Sequence, residues 1–394
     1  MFENLQTLPA DAILRLIAEY QEDPRREKID LGIGVYRDAN GATPILATVK
    51  EAERRIVAQQ ASKAYIGSGG NPAFNRAMQA LVFGDVGGAG ERILTLQAPG
   101  GSGSLRVAAG LLLRARPDVR VWVSDPTWGN HVPLLGGAGV RLEKYPYYRA
   151  GDAAVRFDEM LAALERVPGG DVVLLHGCCH NPTGMDLSAE QWRAVGEVIA
   201  TRGLVPFVDV AYQGFADGLE EDAFGVRHLF GLVPEMLVSA SCSKNFGLYR
   251  ERVGTLSVVS ADAGGTAVVR SQAFNIVRTL YSMPPDHGGA VVACILEDAE
   301  LRSAWQVELD AMRERLRGMR VLLADALRDS APGHDFSHIT RARGMFSFLG
   351  IAPAQVERLK RDYAIYMVDS SRINVAGITP ANVGYLADAI ANVL

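Results

Sequence analysis

A chain of 394 residues, 48% hydrophobic and 22% charged, holds enough apolar material for two or three domains at ~100–200 residues each. Its formal net charge of -5, with no Lys/Arg block, excludes the electrostatic footprint of a nucleic-acid binder and leaves small molecules and further copies of the chain as the expected partners. No uninterrupted apolar run approaches the ~20 residues that cross a bilayer, MFENLQTLPADAILRL lacks the basic lead of a signal peptide, and 4 Cys point to a reducing cytoplasm rather than a disulfide framework.

In chain order, the first forty or so residues, including LGIGVY, are too short to fold alone and are expected to join a C-terminal domain. From about residue 92 to 260, apolar runs alternate with helix-like segments. The runs are RILTLQ, RVWVSD, RLEKYPY, DVVLLHG, LVPFVDV, MLVSAS and GTLSVVS. Between them lie SLRVAAGLLLRARP, FDEMLAALERV and LSAEQWRAVGEVIATRG, the last opening on a capping-box pair, Ser188 and Gln191. This alternation predicts an α/β fold with a mostly parallel sheet between helices. The connection KNFGLYRERV is too short for a helical crossover, so the last strand is expected to run antiparallel. A long helix (LRSAWQVELDAMRERLRGMRVLLADALRD) then leads into GMFSFLG, AQVERLKRDYAI, YMVDSSRINVAG and ANVGYLADAIANVL, a smaller α+β domain. The expected division is 1–44 as arm and part of the small domain, 45–300 as large domain and 301–394 as small domain.

Ligands of open α/β sheets bind beyond the carboxyl ends of the parallel strands. After RILTLQ comes APGGSGS, where Gly101 and Ser102 open a helix and can offer N–H groups to one phosphate. Neither a dinucleotide fingerprint nor a Walker loop fits, since the glycine pattern reaches Arg106 and contains no Lys. Trp128 and His131 follow RVWVSD, and Asn181 follows DVVLLHG. Asp209 ends LVPFVDV with no Arg or Lys nearby in sequence and Tyr212 a turn away; a buried carboxylate there needs a cation or strong donors. Ser241, Ser243 and Lys244 follow MLVSAS, and Arg252 opens the last strand. Cys178, Cys179 and His180 are adjacent rather than spaced as zinc ligands, and strand geometry would turn neighbours to opposite faces, so no metal site is expected. A lysine, a buried carboxylate, a phenol, an amide, an aromatic face and a phosphate cup on one sheet edge match the needs of pyridoxal phosphate: an amine for the aldehyde, an acidic partner for the ring nitrogen, a helix N-terminus for the phosphate.

The chain resembles the class I, fold-type I aminotransferases, in the aspartate/aromatic subgroup, over its whole length. LGIGVY, KAYIG, PGGSGSLR, SDPTWGNH, HGCCHNPTG, VDVAYQGF, SCSKNFGLYRERVG, RTLYSMPPDHG, GMFSF and SRINVAG carry the likeness. The resemblance implies a large domain built on a seven-stranded sheet, with Lys244 as the Schiff-base lysine that also moves the proton between substrate and cofactor. It makes Asp209 the partner of the pyridine nitrogen, with His131 and His176 behind it, and Tyr212 and Asn181 the donors to the phenolic oxygen. Trp128 would stack on the ring; Gly101, Ser102, Ser241, Ser243 and Arg252 would hold the phosphate, completed by Tyr65 of a second subunit. Arg372, aided by the backbone of Gly34, would grip the substrate α-carboxylate. Phe346 would line the pocket, and Arg278 would reach the distal carboxylate of a dicarboxylic substrate across an obligate homodimer interface embraced by an arm of residues 1–12.

The same resemblance implies ping-pong transamination with 2-oxoglutarate as acceptor. Retention of Arg278 favours aspartate and glutamate, while Ser102, Met283 and the runs SDPTW and ASCSKNFG lean toward aromatic donors; Val35 and Thr43 resemble aspartate-type choices. A broad aromatic (Tyr, Phe, Trp) and dicarboxylic transaminase is expected, with strict aspartate aminotransferase as the alternative. Two rivals are disfavoured. Ser241-x-x-Lys244 fits the motif of serine acyl-transfer enzymes, but the chain has no K-T-G. A catalytically silent binding module would not be expected to keep Lys244, Asp209 and Arg372 together.

Overall fold

The computed structural model describes residues 1–8, 11–149, 151 and 153–394. The arm expected over 1–12 therefore includes Pro9 and Ala10, which lie outside the described residues.

All seven apolar runs enter one seven-stranded sheet. Its order is Ile93–Pro99, Val253–Val259, Met236–Ser241, Val205–Val210, Val172–His176, Arg120–Asp125 and Arg141–Pro146. Val253–Val259 runs antiparallel to both neighbours, as the short connection requires, and the other pairings are parallel. The central strands Met236–Ser241 and Val253–Val259 are buried along their whole length, on both faces. Their alternation still sorts side chains between two layers. Val172, Leu174, Phe207 and Leu237 pack with Leu105 and Ile276 on one side; Val173, Leu175, Val208 and Val238 belong to the larger core with Trp192 and Ile199 on the other.

Helix Ala189–Arg202 starts at the expected capping box, with Ser188 Oγ accepting from Gln191 N and the Gln191 side chain returning to Ser188 N. Helix Ala299–Ser330 buries Leu301, Trp305, Leu309, Met312, Leu316, Leu323 and Leu327, spaced by three and four along one stripe. Arg320 interrupts that stripe and is buried too; its guanidinium donates to the carbonyls of Ile339, Arg343, Gly344 and Phe346 and so fixes the loop that ends at Phe346. YMVDSSRINVAG forms two short strands rather than one, Ile365–Tyr366 and Arg372–Asn374, separated by a turn in which Ser371 has φ +63°. Ile29–Asp30 pairs parallel with the first, Phe346–Phe348 antiparallel with the second. Asn374 donates to the carbonyls of Ile33 and Val35, carrying Gly34 to the carboxyl edge of the large sheet.

Candidate active site

The register of the sheet brings its strand ends level. His176 pairs with Asp209, Gly254 with Ser241 and Val253 with Pro99. At that edge lies a cavity of about 180 Å³ lined by Gly34, Gly101, Ser102, Trp128, His176, Asn181, Asp209, Tyr212, Ser241, Ser243, Lys244 and Arg252, all twelve expected from the sequence. Leu105, Cys178, Ala211 and Tyr249 complete the wall and were not expected. Tyr249 is reached only through the fold: its hydroxyl accepts from Tyr36 N at 2.8 Å, tying the N-terminal segment to the lysine loop.

Helix Gly100–Ala115 begins where strand Ile93–Pro99 ends, so its first N–H groups point into the cavity. Around them stand Ser241 and Ser243, whose hydroxyls are 3.1 Å apart, and Arg252, held by the Tyr249 carbonyl at 3.2 Å. Two glycines are required here. Gly100 has φ +67°, and a Cβ would meet Arg252 Nη2 at 2.7 Å; on Gly254 a Cβ would meet the Ala240 carbonyl at 2.6 Å. Cup, hydroxyls and guanidinium together form an anion site.

Asp209 is buried, and its partner is a residue 78 positions away: His131 Nε2 lies 3.0 Å from Asp209 Oδ2. With Nε2–H turned to the carboxylate, His131 Nδ1 accepts from the Thr127 hydroxyl at 2.8 Å, and Thr127 Oγ1 in turn accepts from His176 Nε2 at 3.1 Å. Burial would raise the Asp209 carboxyl, but the His131 hydrogen bond, helped by the nearby positive charge of Lys244, outweighs it and holds the group below the usual carboxylate range. His176 is pushed well down by burial and by its neighbours His180 and His131, so it stays neutral.

Lys244 lies inside the protein with partial exposure to the cavity. Its Nζ sits 4.6 Å from the centroid of the Tyr212 ring. Burial lowers its ammonium to about 8, against the opposing attraction of Asp209. No carboxylate ion-pairs with it within 4 Å among the described residues, which leaves the amine free to react.

Arg372 emerges from its short strand beside this cavity. The guanidinium lies over Phe346 at 4.4 Å, donates to the Gly32 carbonyl at 2.6 Å and to Asn181 Oδ1 at 3.4 Å, and keeps a buried Nε with no partner. Phe346 thus positions Arg372 rather than lining the cavity wall, and its ring would lie 3.1 Å from a Cβ on Gly34. Two expected residues are not brought in by this chain. Tyr65 is 91% exposed, and Arg278 is exposed on helix Ala263–Leu280, bonded to Ser282 Oγ.

The opposite facing expected of Cys178 and Cys179 fails on geometry. Cys178 and Cys179 stand beyond the strand, which ends at His176, and Cys179 adopts φ +51°. Strand alternation therefore does not apply, and both thiols converge with an Asp222 carboxylate oxygen, all within 4.8 Å of one another.

A lysine free of an ion pair, a buried aspartate held anionic and an anion cup on one sheet edge, with a half-paired arginine beside them, define a class of enzyme that handles amino acids through a bound aldehyde cofactor. Comparison with known proteins agrees. Residues 26–390 match the family model Aminotransferase class I and II. The chain is 47% identical to the aromatic-amino-acid aminotransferase of Pseudomonas aeruginosa over 394 residues, covering all of this chain and 98% of that one. It is 46% identical to the aspartate aminotransferase of Salmonella typhi over 396 residues, covering both completely. The crystal structure of aromatic-amino-acid aminotransferase from Burkholderia pseudomallei, covalently bound to pyridoxal phosphate, superposes with a TM-score of 0.97 at 43% identity, covering all of this chain and 99% of that one. The chain belongs to the class I and II aminotransferase family, with the fold-type I architecture.

Proposed function

We propose that this aminotransferase acts on both aromatic and dicarboxylic L-amino acids, with pyridoxal phosphate as cofactor and 2-oxoglutarate as amino acceptor. The observation that carries the reading is the presence of Lys244 and Asp209 in one cavity, with the partly unsatisfied Arg372 beside it, bonded to the cavity residue Asn181. The residues fit the cofactor. The glycine cup leaves no side chain between the helix N-terminus and an anion, and the anionic Asp209 is the acceptor that a protonated ring nitrogen needs.

When bound, pyridoxal phosphate supplies an aldehyde that takes the amino group and a ring that accepts electrons from the substrate Cα. The chain supplies the rest. Gly101, Ser102, Ser241, Ser243 and Arg252 would hold the phosphate, Trp128 would cover one ring face, and Tyr212 with Asn181 would donate to the ring's phenolic oxygen. Lys244, neutral above about pH 8, is the amine that would hold the cofactor's aldehyde, and its free amine would serve as the base for the substrate Cα proton. Arg372 offers its planar fork to the substrate α-carboxylate, assisted by the backbone of Gly34.

The exposed positions of Tyr65 and Arg278 support a homodimer in which each completes the partner's site, as does the exposed apolar surface of Phe2, Leu5, Leu8 and Leu280. The division at residues 44 and 300 is part of the same proposal, supported by the pairing of Ile29–Asp30 with Ile365–Tyr366. Among the described residues no helix is long and apolar enough to cross a membrane, and four unpaired cysteines support a reducing cytoplasm.

Conversion of the bound cofactor by phenylalanine, tyrosine, aspartate and glutamate, followed by loss of its visible absorbance, tests the donor range. All four are expected to react. Reaction of aspartate and glutamate without phenylalanine or tyrosine would establish the strict aspartate alternative.

A further inference from the structure

The transamination chemistry makes no use of the two adjacent thiols at Cys178 and Cys179, yet the fold places them with some care. Cys178 lines the catalytic cavity and also a second cavity of about 290 Å³, whose wall includes Trp192, Phe224, Asp186 and Asp222. Cys179 is buried, lines neither cavity and packs against Gly344, where a Cβ would come within 2.7 Å of Cys179 Sγ. Access to the pair is therefore through Cys178, from either cavity.

A divalent cation is a poor occupant. Asp222, the third group of the cluster, already accepts four backbone N–H bonds: from Gly214 and Ala216 on Oδ2 and from Asp217 and Gly218 on Oδ1, at 2.8 to 3.3 Å. Its lone pairs are committed. Asp186 is likewise taken by the N–H groups of Cys179 and His180. Both thiols are held protonated, Cys178 by the hydrogen bond it makes to Cys179 and by burial, Cys179 by burial, up to about 12. The pair suits a neutral, thiol-seeking electrophile that takes two S–H groups at once and leaves no net charge behind.

We propose that Cys178 and Cys179 form a dithiol site for trivalent arsenicals, opening onto the catalytic cavity. With an aryl arsenoxide the step is a condensation without redox change: two S–H bonds break, two S–As bonds form, and the arsenoxide oxygen leaves with both protons as water. An aryl group can lie against Trp192 and Phe224 in the second cavity, while Cys178 also borders the catalytic cavity that Asn181 and Tyr212 line.

The test uses phenylarsine oxide on the native, cofactor-loaded enzyme, read by intact mass and by titration of free thiols. One adduct per chain is expected, with loss of two of the 4 Cys as titratable thiols. Release by 2,3-dimercaptopropanol but not by excess 2-mercaptoethanol is expected of a two-sulfur linkage. Cys178→Ser and Cys179→Ser should each abolish the monothiol-resistant adduct, while Cys294→Ser retains it. Persistence of that adduct in either single variant, release by monothiol alone, or reaction only after unfolding would each overturn the proposal. Circular dichroism of each variant separates loss of the site from loss of the fold.

Discussion

His131 and Asp209, joined at 3.0 Å inside the protein, tie the first residue of the short helix His131–Gly136 to the end of strand Val205–Val210. The bond runs on through Thr127 to His176, so the tautomer of His131 is set by its neighbours. Replacing His131 with Leu leaves a buried carboxylate without its main donor, a loss of about 1.5–3 kcal/mol for a charge-assisted bond. The Asp209 carboxyl should then rise. Activity is expected to fall roughly 10- to 100-fold at neutral pH and to recover partly as pH increases, measured as kcat against pH. An unchanged profile would show that His131 merely packs.

Lys244 gives a pH signature that needs no substrate. Its ammonium is lowered from 10.5 to about 8, so folded and unfolded chains bind the same proton number here below about 8 and above 10.5. Between those limits the unfolded chain binds more, and stability gains with rising pH. The cost of burying the ammonium is thus fully present below about pH 8 and is relieved toward 10.5. Denaturant unfolding of cofactor-free protein should show this gain across that window, and Lys244→Met should lack it. The same neutral amine makes capture of pyridoxal phosphate by the cofactor-free chain rise about tenfold per pH unit below 8 and level off above.

Lys244→Ala is expected to retain the cofactor noncovalently, through the cup and Asp209, while transamination drops by about 10²–10⁴, the range of a lost acid–base group. Equilibrium dialysis and single-turnover rates separate the two. Near-normal turnover would refute the assigned role.

The two arginines should divide the substrate between them. Arg372→Lys keeps the charge but loses the fork, so every donor should lose affinity, by about 2–5 kcal/mol if the carboxylate bond is fully desolvated. Arg278→Leu should weaken aspartate and glutamate about 100-fold or more and leave phenylalanine nearly unchanged. Comparison of kcat/KM for aspartate and phenylalanine in both variants checks the division; equal losses for both donors in Arg278→Leu would place that residue outside the substrate site.

Trp305 braces the lysine loop from the long C-terminal helix. Its indole stacks on Phe246 at 4.4 Å, and Nε1–H donates to the Asn245 carbonyl at 2.7 Å. Trp305→Phe keeps the stack and strands that buried carbonyl, costing about 1–3 kcal/mol of stability. Trp305→Ala adds a cavity and should cost about 3–5 kcal/mol. Chemical denaturation of both variants measures the difference.

Much of this was legible in the chain because the signals are local. Runs such as DVVLLHG and MLVSAS carry the apolar pattern of a strand buried on both faces, and Ser188 with Gln191 marks a helix start three residues apart. Lys244, Asp209, Asn181 and the Gly101–Ser102 cup could be found because parallel strands deliver their carboxyl ends to one edge, so position along the strand already gives position in space. What the chain alone could not determine are contacts that depend on where distant backbones meet. Asp209 shows no cation nearby in sequence; the family resemblance named His131 as its support, but the residues alone gave no sign of it, because sheet order makes that contact across 78 residues. Tyr249 holds Tyr36 by a hydroxyl whose target lies 213 residues away. The strand alternation expected at Cys178 and Cys179 does not hold because the strand ends before them; with Cys179 in a left-handed conformation past that end, both thiols lie within 4.8 Å of one another. Local pattern specified the elements and the chemistry at their tips, and only tertiary packing decided which tips touch, since hydrogen bonds and burial across long sequence separations are set by backbone placement rather than by neighbouring residues.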